Sequence, residues 1–218
     1  MSKKVAVVLS GCGFLDGAEI RESVLSLLTL DQNNTEYDIF APDLDQYHTI
    51  NHLKSEEVST KRNILEEASR IARGKIKPLR DLNPNDYQAL VIPGGFGVAK
   101  NLCDFAFKGS GAEVLPAMKE IVISFHTNKK PIAAICIAPA LIALCLGDKQ
   151  VEVTIGTDIE TASEIEKTGA KHINKDVHEF HTDETNLITS TPAYMFDSAG
   201  LDQIQIGIKG CIEKALSF

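Results

Sequence analysis

The chain has 218 residues, 44% of them hydrophobic and 24% charged, and a formal net charge of −8 from 22 basic and 30 acidic side chains. This length suits one α/β domain with its own core. The acidic balance, with no run of Lys or Arg, argues against a nucleic-acid surface. No apolar stretch approaches the ~20 residues of a membrane span, and five scattered cysteines without C-x-x-C spacing give neither a disulfide framework nor a zinc site.

Residues 5–10 read as a first strand. Its apolar run, 5–9, is too short for a signal peptide and no cleavage pattern follows, so a cytoplasmic protein is expected. A helix is predicted over 19–30, with Ile20, Val24, Leu27 and Leu28 as its apolar face, and a second strand over 38–41. The segment 43–79 is long for a connection. It carries His48-Thr49-Ile50-Asn51-His52 and a helix over 60–72, capped by Ser59 or Thr60, and reads as an insertion beside the strand ends, part of a lid. A third strand, 89–93, closes on Gly94-Gly95, and a helix over 116–128 follows. Residues 131–135 are a short buried strand running straight into a helix over 138–146, with Cys136 at the junction. Then come a strand over 151–156 and a helix over 158–168 stopped by Gly169. A hairpin of 177–181 with 187–190 and a last helix over 201–216 complete the chain. The alternation implies an α/β fold with a mostly parallel sheet and helices on both faces, a single domain over 1–218. Ligands bind beyond the C-terminal strand ends of such sheets. The loops 10–18 and 94–101 and the elbow at Cys136 converge there.

A cysteine at a helix N-terminus meets unpaired N–H groups and a dipole that favour the thiolate. Ala134 and Ala138 flank Cys136 with small side chains, as a sharp strand-to-helix turn needs, and Pro139 is tolerated in the first turn. In Gly94-Gly95-Phe96-Gly97 the missing side chains let a backbone N–H point into the site, forming with the N–H of Ile137 an oxyanion hole. No Lys-Ser pair follows, so a nucleotide phosphate is not implied. Gly94, Phe96 and Asn101 on this loop are candidate substrate contacts. Asp16, Glu19 and Glu22 all suit a helix N-terminus, but Glu19 turned inward would meet Cys136 and share a proton with it. A Cys-His pair needs an imidazole beside the thiol. Of the six histidines His52, in the insertion, is the candidate to reach the pocket. Cys12 is either core or a resolving thiol.

Five motifs in order, S-G-C-G-F-L-D-G-A-E-I at 10–20, P-G-G-F-G-V-A-K-N-L at 93–102, C-I-A-P-A at 136–140, T-I-G-T-D at 154–158 and T-P-A-Y-M at 191–195, resemble the ElbB-type proteins. These belong to the ThiJ/PfpI branch of the class I glutamine amidotransferase-like superfamily. The resemblance implies a flavodoxin-like three-layer sandwich, usually a homo-oligomer, with a dimer favoured. It places the elbow nucleophile on Cys136, the strand-one glutamate on Glu19 and the oxyanion amides on Gly95 and Ile137. It implies a glyoxalase that turns small 2-oxoaldehydes into 2-hydroxy acids with no cofactor, metal, nucleic acid or membrane, and a name tied to isoprenoid biosynthesis. True amidotransferases carry a His-x-Glu pair where this chain has Thr191-Pro192-Ala193-Tyr194, so glutamine hydrolysis is not expected. The alternative is a redox-sensing or chaperone-like protein in which Cys136 oxidises to a sulfinate.

Overall fold

β1 (Val5–Val8) is apolar and fully buried in the computed structural model, which describes residues 4–218. Its successive residues face opposite layers. Ala6 and Val8 join one core, with Phe125 and Leu141; Val5 and Val7 join another, with Leu25 and Ile208. α1 (Ile20–Gln32) leads to β2 (Tyr37–Ala41), which lies parallel to β1. An antiparallel ribbon, β3 (Ile50–Asn51) with β4 (Glu56–Glu57), precedes α2 (Ile64–Ile71) and β5 (Lys77–Pro78). β6 (Ala89–Ile92) ends in a π-helical turn, Val98–Leu102, and a short α3 (Phe105–Lys108). α4 (Pro116–Thr127), β7 (Ile132–Ile135) and α5 (Ala138–Leu146) follow. β8 (Glu152–Val153) and β9 (Lys171–His172) form a small parallel pair around α6 (Ile159–Lys167). The hairpin of β10 (His181–Asp183) and β11 (Ile188–Thr191) and the long α7 (Leu201–Leu216) complete the fold.

The main sheet runs β10, β11, β7, β6, β1, β2, β5, parallel throughout except for the β10–β11 pair. The chain leaves β1 toward β2 and returns on the other side at β6. The loops after these two strands therefore part, opening a crevice at the sheet's C-terminal edge. β7, with Cys136 just beyond it, lies next to β6.

Four expectations change. The strand foreseen at 151–156 lies outside the main sheet, because β8 pairs only with β9. The first hairpin arm is displaced to His181–Asp183, where Asp183 Oδ1 accepts from the N–H groups of Thr185 and Asn186 and sets the turn. The segment 43–79 is not one insertion. α2 packs Ile64 and Ala68 into the core and β5 extends the sheet beside β2, so only the ribbon region projects; the α2 cap is Asn63.

The fourth change is the orientation of α1. Ile20, Val24 and Leu28 are 45%, 49% and 40% exposed, while Glu22, Ser23, Ser26 and Thr29 are buried with Leu25 and Leu30. The hydroxyls of Ser23, Ser26 and Thr29 donate to the carbonyls of Glu19, Glu22 and Leu25 at 2.6, 2.7 and 2.9 Å. Each buried donor is thus satisfied within its own helix, and the small side chains let α1 lie against α7.

Candidate active site

Cys136 has φ +60°, a left-handed conformation that costs a non-glycine residue about 1–3 kcal/mol. This turn ends β7 and begins α5, and it sets the thiol in a crowded place. A Cβ on Gly94 would stand 2.4 Å from Cys136 Cβ and 2.7 Å from Glu22 Oε2, so only glycine fits there. Gly95 has φ +96°, and its missing side chain lets the backbone approach Gly17 and Glu19. The N–H groups of Gly95 and Ile137 face the Cys136 sulfur.

The carboxyl that meets the thiol belongs to Glu22, not Glu19. Glu22 is fully buried and hydrogen bonded to Cys136. Its Oε2 accepts from the Gly94 N–H at 2.9 Å and its Oε1 from the Tyr194 N–H at 3.1 Å. Burial, with the nearby charge of Glu19, raises its pKa to about 8. Burial also pushes the Cys136 thiol up, and an ionised Glu22 pushes it further, while the Gly95 and Ile137 amides pull it down. Two adjacent anions are unfavourable, so Glu22 and Cys136 are not ionised together. A proton on Glu22 removes the repulsion and leaves the two amides to stabilise the sulfur anion.

Glu19 is the N-cap of α1 instead. Its Oε2 accepts from the Glu22 N–H at 2.6 Å, satisfying one open donor of the first turn. It still lines the cleft, half-buried, and desolvation raises its pKa.

The cleft over the sheet edge has a volume of about 1260 Å³. Its walls include Phe14, Arg21, Phe96, Ile137 and Tyr194, and Cys136, itself only 7% exposed, opens onto it. Phe96 thus stands where a substrate contact was expected. Asn101 does not. Its Nδ2 donates to the carbonyls of Ser10 and Asp16 at 2.9 Å each, and its Oδ1 accepts from the Tyr47 N–H, so it ties the first loop to the ribbon region. His52 is also displaced from the site. Its Nε2 accepts from the Leu15 N–H at 3.3 Å and its ring meets Phe14 edge-on at 5.5 Å, propping the loop from outside. The buried carboxylate of Asp16 completes this latch, accepting from the Ile50 N–H at 2.6 Å and from Gln46 Nε2 at 3.2 Å.

Among the described residues no histidine lines the cleft beside Cys136. Cys12 also lies off the cleft; the charges acting on it are Glu67, Arg70, Asp16 and Arg62. All five cysteines are free. Among the described residues no three His, Cys, Asp or Glu side chains gather as a metal-binding set.

Sequence reasoning missed the roles of Glu22 and Tyr194. The signal for Glu22 was the spacing of Glu22, Ser26 and Thr29, a polar stripe at helical period opposite the apolar one. Tyr194 acts through its backbone N–H and follows Ala193, another left-handed residue at φ +44°, which side-chain chemistry does not announce.

The DJ-1/PfpI family profile matches residues 16–199. The chain is 43% identical to the ES1 protein homolog, mitochondrial, of Rattus norvegicus, over 98% of this chain and 83% of the relative. It is equally identical to the Homo sapiens glutamine amidotransferase-like class 1 domain-containing protein 3, mitochondrial, over 98% and 82%. Among solved structures, an isoprenoid biosynthesis protein with an amidotransferase-like domain from Ehrlichia chaffeensis superposes with a TM-score of 0.91 at 39% identity, covering 98% of this chain and 99% of that one. Glyoxalase III of Candida albicans shares the fold, with a TM-score of 0.62 at 15% identity over 98% and 97%. The cytoplasmic expectation is overturned by the relatives, which are named mitochondrial. Its basis was weak in physical terms. It rested on the lack of a secretory signal and of a membrane-spanning stretch, and neither distinguishes the cytoplasm from an organelle.

Proposed function

Because the chain belongs to the DJ-1/PfpI family, we propose that its cleft is a cofactor-independent glyoxalase site turning glyoxal or methylglyoxal into the 2-hydroxy acid. The observation that carries this reading is the thiol of Cys136 in contact with the protonatable, buried carboxyl of Glu22, beneath the N–H groups of Gly95 and Ile137. In the reactive form the sulfur is ionised and Glu22 carries a proton. The sulfur bonds to the aldehyde carbon, and the two amides hold the oxygen anion that forms. Glu22 gives that oxygen its proton and becomes the base. It then takes the hydrogen from the former aldehyde carbon and returns it to the neighbouring carbon, leaving a 2-hydroxy thioester. Water cleaves the thioester to the 2-hydroxy acid and frees the sulfur, so the net change is addition of one water. The 39% identity to the isoprenoid biosynthesis protein supports an ElbB-type placement within the family.

Purified protein with methylglyoxal, followed by lactate formation, tests the reading. Cys136→Ala abolishes turnover, and Glu22→Gln, which cannot relay a proton, lowers kcat by about 100-fold or more. Glu19→Ala costs chiefly stability, ~1 kcal/mol for a lost cap. A kcat loss in Glu19→Ala as large as in Glu22→Gln returns the acid–base role to Glu19. The same amides and a protonated Glu22 also suit a sulfinate. Selective addition of two oxygens to Cys136 under mild peroxide, with no aldehyde turnover, supports the redox-sensing reading instead. We further propose a homo-oligomer in which a second copy covers Ile20, Val24 and Leu28.

A further inference from the structure

The cleft is large for the substrates just proposed. Its volume of about 1260 Å³ exceeds the ~300–1,000 Å³ common for small-molecule sites, and a two- or three-carbon aldehyde at Cys136 leaves most of the wall untouched. One feature of that wall is a solvent-exposed cation. Arg21 lines the cleft, its Nη1 donates to the Tyr194 hydroxyl at 3.0 Å, and its guanidinium carbon lies 5.8 Å from the centre of the Tyr194 ring. Tyr194 is itself held by the 3.1 Å bond from its N–H to Glu22. A single residue therefore links the guanidinium to the carboxyl that touches the thiol.

The other cations on the cleft are taken. Lys167 pairs with Glu164 and Lys108 with Asp104. Among the described residues no carboxylate lies within ion-pair distance of Arg21. Glu19, its neighbour on the wall, has one oxygen committed to the helix cap. Glu160 and Asp197 also line the cleft and repel a diffuse negative cloud, so an anion is accepted only where donors grip it directly. A guanidinium fork with one of its five N–H groups spent on a tyrosine offers such a grip to carboxylate or phosphate oxygens.

We infer that Arg21, oriented by Tyr194, is an anion subsite, and that besides glyoxal and methylglyoxal the site takes a larger carbonyl compound with a carboxylate or phosphate at the end remote from the carbon Cys136 attacks. This rests on Cys136 being the nucleophile. Iodoacetate and iodoacetamide separate the two statements. Both form a bond from Sγ to the same kind of carbon and expel iodide; only the charge of the remote group differs. The rate of each is followed by mass spectrometry of the peptide containing Cys136. The ratio of the iodoacetate to the iodoacetamide rate constant falls at least fivefold in Arg21→Met. A merely structural disturbance moves both rates together and leaves the ratio alone. An unchanged ratio overturns the anion subsite while the nucleophile stands, whereas failure of both reagents to modify Cys136 overturns the nucleophile and this inference with it. Protection of wild-type Cys136 from iodoacetate at lower concentration by inorganic phosphate than by malonate assigns the anion as phosphate; the reverse order assigns it as carboxylate.

Discussion

Glu22 occupies a place where negative charge is costly. No water reaches its carboxyl, and the compensation comes from two backbone N–H groups and a thiol. Its pKa of about 8 in the fold, against 4.5 for a free side chain, means that the folded protein keeps a proton which the unfolded chain has released. The stability this provides is complete below pH 4.5, falls as pH rises, and is gone once pH passes 8. Its size is on the order of 4–5 kcal/mol. Urea unfolding of wild type and Glu22→Gln between pH 5 and 8.5 checks this. The wild type loses stability relative to the variant as pH rises, and a constant difference contradicts the burial cost. Cys136 was legible from its neighbours in sequence, because a short apolar strand, small flanking residues and a helix start are all local features. The choice between Glu19 and Glu22 was not. They stand three residues apart on the same helix start, and which one caps and which one turns inward depends on Gly94 and Tyr194, far away in the chain.

At the scale of the element, α1 carries the main surprise. Its apolar residues are evenly spaced, and hydropathy alone assigns that stripe to the core. The protein instead buries the stripe of small hydroxyl residues and leaves Ile20, Val24 and Leu28 in contact with solvent. A periodic pattern gives a helix two candidate inner faces, and the partner decides between them. Here α7 accepts the small face, and an apolar strip remains exposed, the surface that the proposed second copy would cover. Val24→Lys, at a half-exposed position, therefore lowers the mass measured by sedimentation velocity to that of a single chain while leaving the circular dichroism spectrum intact. A wild-type protein that sediments as a monomer at tens of micromolar removes the proposed homo-oligomer. The central strands and α7 were readable because long or wholly apolar segments leave one solution. β5 and β8 were not, since two residues carry too little pattern to reveal a pairing partner.

At the scale of the molecule, the site is built where the two halves of the sheet's upper edge meet. One oxygen of Glu22 grips the chain just after β6 and the other grips it after β11, with the end of β7 between them. A carboxyl on the first helix thus acts as a clasp joining three strand ends spread over about one hundred residues of the chain. The upper edge cannot splay without parting Glu22 from Cys136, and the two cannot be parted without freeing the edge. Under the proposed function, turnover is then a gauge of the whole fold: along a urea titration, aldehyde turnover and far-ultraviolet ellipticity decline on one curve. Turnover that vanishes while ellipticity is still native would mean that the clasp opens by itself.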